Sequence, residues 1–369
     1  MSKLNKKIRL GIDARTLSER GGVRNYVINL IDNLKKYKEL EIIVFYNKKS
    51  LLGSFKGVKE IALFPKYKFL LPLYDLFILP ITALFLKIDV LHLPKSTSNF
   101  FPIKKITTLH DLIPIIHPET ETFLNHLYWK LSFFMTILFS DIIITDSEYS
   151  KKSIEKYYKK ILNKEIKVIN LGVYHKLFYK HTQGEIDSIR KKYGLQNKYI
   201  LAVGTIQPRK NIKRYVETLE KINSNKKFNL KLVLVGRYGW RFNKEILNNP
   251  DIIHLDSVDN KDLSIIYSSS HIVLFASLVE GFGLPVLEAQ ACGAPVITSK
   301  NSPMEELVEN SAFMVNPFSV NDIVNKVKSL LNDDKKRKKL TKLGLLNVKK
   351  YNWDLTVNKT VDVYREFFK

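Results

Sequence analysis

Short runs of β-branched and apolar residues alternate with helix-forming stretches along the whole chain, and the alternation starts again near residue 198. Strands this apolar predict burial on both faces, and helix-length gaps between them predict parallel pairing, because parallel neighbours need a long crossover. The first half carries such runs at 8–13, 41–46, 89–93, 106–109, 142–145 and 167–169. The second carries them at 199–203, 230–235, 252–255, 272–275, 296–298 and 312–315. The pattern predicts an α/β chain of two doubly wound domains, joined by a polar, irregular stretch over 171–195 where Gly172 and Gly184 fall. Beyond Phe318 only helices are expected, at 321–331, 333–350 and 354–368. Doubly wound sheets bind ligands at the carboxyl ends of their strands, so the two strand-end faces are expected to meet across a cleft.

At 369 residues the chain exceeds what one hydrophobic core usually supports, which agrees with two domains. Its single cysteine, Cys292, excludes an internal disulfide and a thiolate metal cage. With no basic group beside it, Cys292 reads as a small buried hydrophobe, and a cytosolic setting fits. No secretory signal pattern is visible in the opening Met-Ser-Lys-Leu-Asn-Lys-Lys. The net charge of +24 divides evenly, +12 over residues 1–170 and +12 over the rest, and no nucleic-acid reading module accompanies it. Nucleic acid is therefore not an expected partner. A lysine-rich background accounts for such a diffuse field, as does attraction to phosphorylated ligands or to an anionic membrane leaflet.

Two apolar stretches bear on the membrane question. Residues 69–86 carry Asp75, Pro72 and Pro80, which would leave backbone groups unsatisfied in lipid, and residues 123–139 carry His126, Trp129 and Lys130. Neither reads as a span. Both read as helices packed inside a domain, with one face able to rest among headgroups beside Lys66, Lys68 and Lys87.

The densest chemistry lies at 280–298, Glu-Gly-Phe-Gly-Leu-Pro-Val-Leu-Glu-Ala-Gln-Ala-Cys-Gly-Ala-Pro-Val-Ile-Thr. Glycines permit close backbone approach, Pro285 suits the first turn of a helix, and free N–H groups there favour an anionic ligand. Glu280 and Glu288 supply carboxylates for hydroxyls, and Gly293-Ala294-Pro295 stops the helix before a strand. This stretch, extended from Ser277 to Glu306, resembles the donor-site signature of the retaining nucleotide-sugar glycosyltransferases of sequence family four. The resemblance implies the two-Rossmann-domain glycosyltransferase B fold, with an acceptor-binding domain over 1–175 and a donor-binding domain over 176–353. It also implies that the last helix, 354–369, crosses back to the first domain. Glu280 is expected on a sugar hydroxyl and Glu288 on the ribose. Gly281, Phe282, Gly283 and Leu284 are expected on the diphosphate.

Gly204-Thr205-Ile206-Gln207-Pro208-Arg209-Lys210-Asn211 follows the first strand of the second half and precedes a helix. Two cations at a strand end suit a departing diphosphate. The stretch is similar to the family's Gly-x-x-x-x-Arg-Lys-Asn segment, with Thr205 where many members carry arginine. Lys210 is therefore the firmer assignment and Arg209 the substitute for the missing charge. The loop Val235-Gly236-Arg237-Tyr238-Gly239-Trp240, with Ser257 and Val258, is a candidate border for the base. No Asp-x-Asp motif and no metal-ligand histidine spacing occur, so no metal and no cofactor are expected.

In the first half, Gly21-Gly22-Val23-Arg24 precedes a helix with apolar positions Val27, Leu30, Ile31 and Leu34. A plain loop and a ligand-covering loop are both compatible with it. The resemblance favours Gly22 on the diphosphate and places Arg24 near the acceptor. His110-Asp111 ends an apolar strand, where histidine can bond a sugar hydroxyl and Asp111 can orient it or the acceptor. By resemblance His110 points at the donor sugar, which makes His110, Glu280 and Lys210 the catalytic candidates.

The expected function is retaining hexosyl transfer from a nucleotide diphosphate sugar to a glycan or lipid-linked glycan, on the inner face of the cytoplasmic membrane. The Thr205 variant and the Asp13-Ala14-Arg15 start resemble bacterial surface-polysaccharide mannosyltransferases, which suggests mannose carried on guanosine diphosphate. Two other readings are a non-hydrolysing nucleotide-sugar epimerase of similar architecture and a non-enzymatic basic protein that binds membranes or polyanions.

Overall fold

A computed structural model describes residues 7–18, 21–63, 73–95, 98–224, 228–239 and 244–368. Trp240, Lys66, Lys68 and the start of the apolar stretch, residues 69–72, lie outside them. The chain divides into two compact units, residues 1–172 with 353–369, and residues 173–352.

The first unit holds a seven-stranded sheet: β1 (Ile8–Asp13), β2 (Leu40–Tyr46), β3 (Lys59–Ala62), β4 (Val90–Leu93), β5 (Lys104–Thr108), β6 (Ile142–Thr145) and β7 (Ile166–Val168). Their spatial order is β3-β2-β1-β4-β5-β6-β7. Every pair is parallel, with Leu10 opposite Ile42 on one side and Val90 on the other. The second unit repeats the scheme with β8 (Tyr199–Val203), β9 (Lys231–Val235), β10 (Ile252–Leu255), β11 (Ile272–Phe275), β12 (Val296–Ser299) and β13 (Phe313–Val315), ordered β10-β9-β8-β11-β12-β13. Both are therefore Rossmann-like doubly wound domains. Their order reverses between β1 and β4 in one and between β8 and β11 in the other, the crevice where such sheets take ligands.

Helices close both sheet faces. Helix Ile212–Asn223 turns Ile212, Tyr215, Leu219 and Ile222 onto Leu232 and Leu234 of β9, an amphipathic stripe one would expect of a crossover. The last helix, Trp353–Glu366, belongs to the first unit. Its Tyr364 hydroxyl lies 2.6 Å from His92 Nδ1 of β4, and His92 Nε2 lies 2.8 Å from the Thr108 hydroxyl of β5. Burial pushes the His92 imidazole down to about 3, so this buried relay is uncharged.

Among the described residues, the apolar stretches expected to pack inside the domain leave Phe85, Phe123 and Leu124 exposed, the first stretch through a π-helical turn at Tyr74–Ile78. Two further elements differ from the sequence expectation. The short strand β3 was not expected, because Lys59-Glu60-Ile61-Ala62 lacks a continuous apolar run; as an edge strand it needs only one neighbour. The supposedly irregular 171–195 contains a helix, Gln183–Tyr193, whose Thr182 and Glu185 form a capping box and whose Gly194 ends it in the left-handed conformation.

Candidate active site

β8 ends at Val203, and Gly204 (φ +133°) turns the chain out of the sheet. A Cβ on Gly204 would stand 3.1 Å from Lys210 Cε, so glycine leaves the lysine stem its course. Pro208–Lys210 makes one 3-10 turn, and Asn211, left-handed at φ +63°, opens the helix behind it. The Asn211 amide donates to the carbonyls of Ala276 (2.9 Å) and Pro317 (2.7 Å), and the Leu278 N–H donates to the Arg209 carbonyl at 2.8 Å. The basic turn after β8 and the acidic loop after β11 are thus tied together at the switch point.

There the predicted charges meet. Lys210 Nζ lies 2.5 Å from Glu280 Oε1, and Arg209 Nη1 lies 3.0 Å from Glu280 Oε2. The ammonium also stands 4.5 Å from the Phe275 ring centroid. The side chains of Lys210 and Glu280 are only 11% and 10% exposed. Burial works against the Glu280 carboxylate, but the two cations outweigh it and hold the group at about 2. Burial draws the Lys210 ammonium down, Glu280 opposes this, and Arg209 adds to it. Two cations facing one acid leave an excess of positive charge at the site.

Past Glu280 the chain enters helix Leu284–Ala291 through Gly283 (φ +111°), where a Cβ would lie 2.6 Å from Met304 Cγ. Among the described residues, the amides of Phe282, Gly283 and Leu284 have no acceptor, so the helix start keeps donors available to an anion. Glu288 sits one turn in and accepts from the Tyr267 hydroxyl at 3.2 Å, while burial raises its carboxyl to about 7. The 236–239 loop pairs beside Gly204: the Ile206 N–H donates to Arg237, and the Gly239 N–H donates to Ile206, both at 2.8 Å. Val258 lies farther off, after the edge strand β10, outside this knot.

In the first unit, Gly22 opens helix Gly22–Leu34, and Arg24 Nε donates to the Leu17 carbonyl at 3.3 Å. His110 follows β5. Its Nδ1 lies 2.7 Å from Asp146 Oδ2 and its Nε2 lies 3.1 Å from the Pro94 carbonyl. A carbonyl and a carboxylate only accept, so both ring nitrogens must carry protons. Burial lowers the His110 pKa, but Asp146 outweighs it and the net shift is upward. The site accordingly favours the imidazolium form of His110. The carboxylate that orients it is Asp146 and not Asp111, whose Oδ1 accepts instead from the Ile113 N–H at 2.9 Å.

Sequence reasoning missed Asp146, although it follows the apolar run of β6 just as His110 follows β5. It also gave no role to the buried cluster at the end of β1. There Arg15 Nε lies 3.0 Å from Asp13 Oδ2, and Arg15 Nη1 pairs with Asp75 from a π-helical turn, Tyr74–Ile78. Burial raises the Asp75 carboxyl to about 6 even against Arg15. Among the described residues no group of three or more His, Cys, Asp or Glu is placed to hold a metal.

Two family models match the chain almost end to end: Glycosyltransferase Family 4 over residues 20–177 and Glycosyl transferases group 1 over residues 185–344. The O-antigen chain mannosyltransferase B of Escherichia coli is 26% identical over 271 residues, covering 71% of this chain and 70% of that protein. The serotype-specific mannosyltransferase WbdA of Escherichia coli is 24% identical over 277 residues, 71% of this chain, which spans 33% of that protein's length. The structure of sucrose-phosphate synthase from Thermosynechococcus elongatus superimposes with a TM-score of 0.78 at 19% identity, covering 98% of this chain and 99% of the other. With the Glu280 loop, the Arg209-Lys210 turn and the repeated doubly wound sheets in place, the chain belongs to the family four glycosyltransferases.

Proposed function

We propose that this glycosyltransferase moves a hexose, mannose from guanosine diphosphate mannose, to a hydroxyl of a glycan or lipid-linked glycan, with retention and without a metal ion. The second unit takes the donor and the first the acceptor, on the inner face of the cytoplasmic membrane, in surface-polysaccharide synthesis. Mannose is supported by the named activity of the O-antigen relatives. The observation that carries the reading is the buried Lys210–Glu280–Arg209 cluster beside the free helix-start amides.

As the bond from the anomeric carbon to the β-phosphate oxygen breaks, negative charge gathers on that oxygen. Lys210, Arg209 and the 282–284 amides stabilise it, each charge-assisted bond contributing about 1.5–3 kcal/mol. Glu280 accepts from a sugar hydroxyl and Glu288 from the ribose. Gly22 lies along the diphosphate, and Val258 borders the base. His110, protonated on both ring nitrogens, turns its Nε2–H from the Pro94 carbonyl to a sugar oxygen and has no lone pair with which to take the acceptor's proton. That proton passes to the departing phosphate oxygen, which is the logic of a same-face displacement and of retention. Asp111 and Arg24 contact the acceptor.

The test is transfer of labelled mannose with release of guanosine diphosphate. Lys210→Ala is expected to lower kcat about a hundredfold or more at saturating donor, the usual loss for one such charge-stabilising donor. Equal turnover by variant and wild type would remove that role.

A further inference from the structure

We propose that Tyr26 is a positioning residue for His110, and that the last helix, Trp353–Glu366, braces His110 and its partner Asp146 by two separate routes. This rests on the role given to His110 above. Tyr26 lies in helix Gly22–Leu34, one turn after Gly22, and is 3% exposed. Its ring meets the His110 ring edge to face, the centroids 5.0 Å apart and the planes at 85°. A cationic ring gains from a π-face within about 6 Å, and a fixed wall of this kind also limits how the imidazole can swing. The main chain of His110 is tied as well, its carbonyl accepting from Ser150 Oγ at 3.1 Å.

The Tyr26 hydroxyl does not reach solvent but enters a buried polar chain. It lies 3.1 Å from the Thr108 hydroxyl, which is the same hydroxyl that His92 joins to Tyr364 of the last helix. Tyr26, Thr108, His92 and Tyr364 are all buried. Apolar packing would avoid the cost of desolvating four polar groups; bonded to one another they escape most of it and fix one another's orientation. Trp353, at the start of the last helix, packs against Tyr26 with ring centroids 6.1 Å apart. The second route runs to the carboxylate partner. Thr356 Oγ1 donates to the Asn170 carbonyl at 2.8 Å, and the Asn170 side-chain amide donates to the Asp146 carbonyl at 2.8 Å. Trp353, Thr356 and Tyr364 share one face of their helix, so one element supports both members of the pair.

The need for such support follows from the motion asked of His110. When Nε2–H turns from the Pro94 carbonyl to a sugar oxygen, only the Nδ1 bond to Asp146 Oδ2 remains, and the ring pivots about it. Asp146 then holds one nitrogen, and the Tyr26 face supplies the second constraint. The titratable groups facing His110 are Asp146 after β6, Asp111 beside it in sequence and His92 of β4.

Tyr26→Leu removes ring and hydroxyl, Tyr26→Phe the hydroxyl alone, and Tyr364→Phe the far end of the chain. In transfer of labelled mannose at saturating donor, Tyr26→Leu is expected to lower kcat roughly ten- to hundredfold, the cost of a misplaced catalytic group. The donor KM should stay within about threefold of wild type, because no donor contact is removed. Tyr26→Phe should restore most of kcat, and Tyr364→Phe should lose a few-fold. Imidazole NMR without donor or acceptor should show the His110 titration moved to lower pH in Tyr26→Leu and restored in Tyr26→Phe; a purely structural role would lower the melting temperature and leave that titration alone. In a His110→Ala background, Tyr26→Leu should cost nothing further. Wild-type turnover by His110→Ala would remove the catalytic reading, and this proposal with it. Impaired His110→Ala beside wild-type turnover or an unmoved titration in Tyr26→Leu would overturn this proposal alone. Should Tyr26→Leu fail to fold, wild-type kcat and an unmoved titration in Tyr364→Phe would do the same.

Discussion

Glu280→Gln and Glu288→Gln are expected to change stability in adjoining pH ranges and with opposite sign. Glu280 is depressed from 4.5 to about 2 in the folded chain, where burial is outweighed by Lys210 and Arg209. A depressed acid contributes stability above its unfolded value and loses it as pH falls through its folded one. The interval corresponds to about 3 kcal/mol, gained between pH 2 and pH 4.5 and held above that. Glu288 is raised from 4.5 to about 7 by burial. Its contribution is complete below pH 4.5 and is lost as pH rises through 7. Because Glu288 keeps part of its surface in solvent, about 2 kcal/mol is a fairer figure than the full interval implies.

Thermal unfolding of the second unit, followed from pH 2 to pH 8, separates the two. At pH 7 Glu280→Gln should melt below the wild type by about 6–12 °C, taking roughly 2–4 °C per kcal/mol for a unit of this size. The gap should close near pH 2, where the wild-type carboxyl is itself protonated. Glu288→Gln should melt above the wild type at pH 8 and coincide with it near pH 4. If Glu280→Gln kept the wild-type acid limb, the buried ion pair would not exist in solution and the account of the donor site would fail.

Two further outcomes follow from the geometry. Asp146→Asn is expected to lower the His110 pKa, read by imidazole NMR shifts, and to remove stability held below that pKa; an unmoved titration would mean that Asp146 does not sustain the imidazolium. Gly283→Ala must fit a Cβ 2.6 Å from Met304 Cγ at φ +111°, so a loss of at least about 2 kcal/mol and weakened nucleotide binding are expected, and a wild-type melting temperature would show that the loop relaxes.

Most strands were legible because each centres on a short β-branched and apolar run between helices, even where buried polar residues such as His92 in β4 or Thr107 and Thr108 in β5 interrupt it. β3 was not, since an edge strand of four residues draws its pairing from β2 and not from its own pattern. The helix at 183–193 was within reach, because Thr182 and Glu185 stand at capping-box spacing, but the polar composition of the stretch obscured them. In the site, Lys210, Arg209 and Glu280 could be named from two segments that each follow a strand of the second half. Asp146 escaped because one acid after one strand carries no local signal; only the pairing of β5 with β6 brings it to His110. The helix at 123–139 was legible, with packing inside the domain expected; its exposed Phe123, Leu124 and Leu131 depart from that, because periodicity finds an apolar stripe without telling what receives it.

On the proposed reading, the charge arrangement at β8 and β11 answers a problem that a diphosphate site poses to any fold. Two cations held in place at a strand end, nearly out of water, cost several kcal/mol each unless an anion accompanies them. A single carboxylate, bonded to Lys210 on one oxygen and Arg209 on the other, offsets that cost while leaving the cluster positive. A diphosphate carries more negative charge than Glu280 and meets, besides the cations, the amides at the head of helix Leu284–Ala291, which the glutamate does not engage. In the proposed complex the cations would turn to the phosphate without a change of backbone, and Glu280, released from part of its pairing, would accept from a sugar hydroxyl. Stabilisation of the leaving group and recognition of the sugar would then depend on the same three side chains, which the structure holds at the two strand ends that flank the switch point.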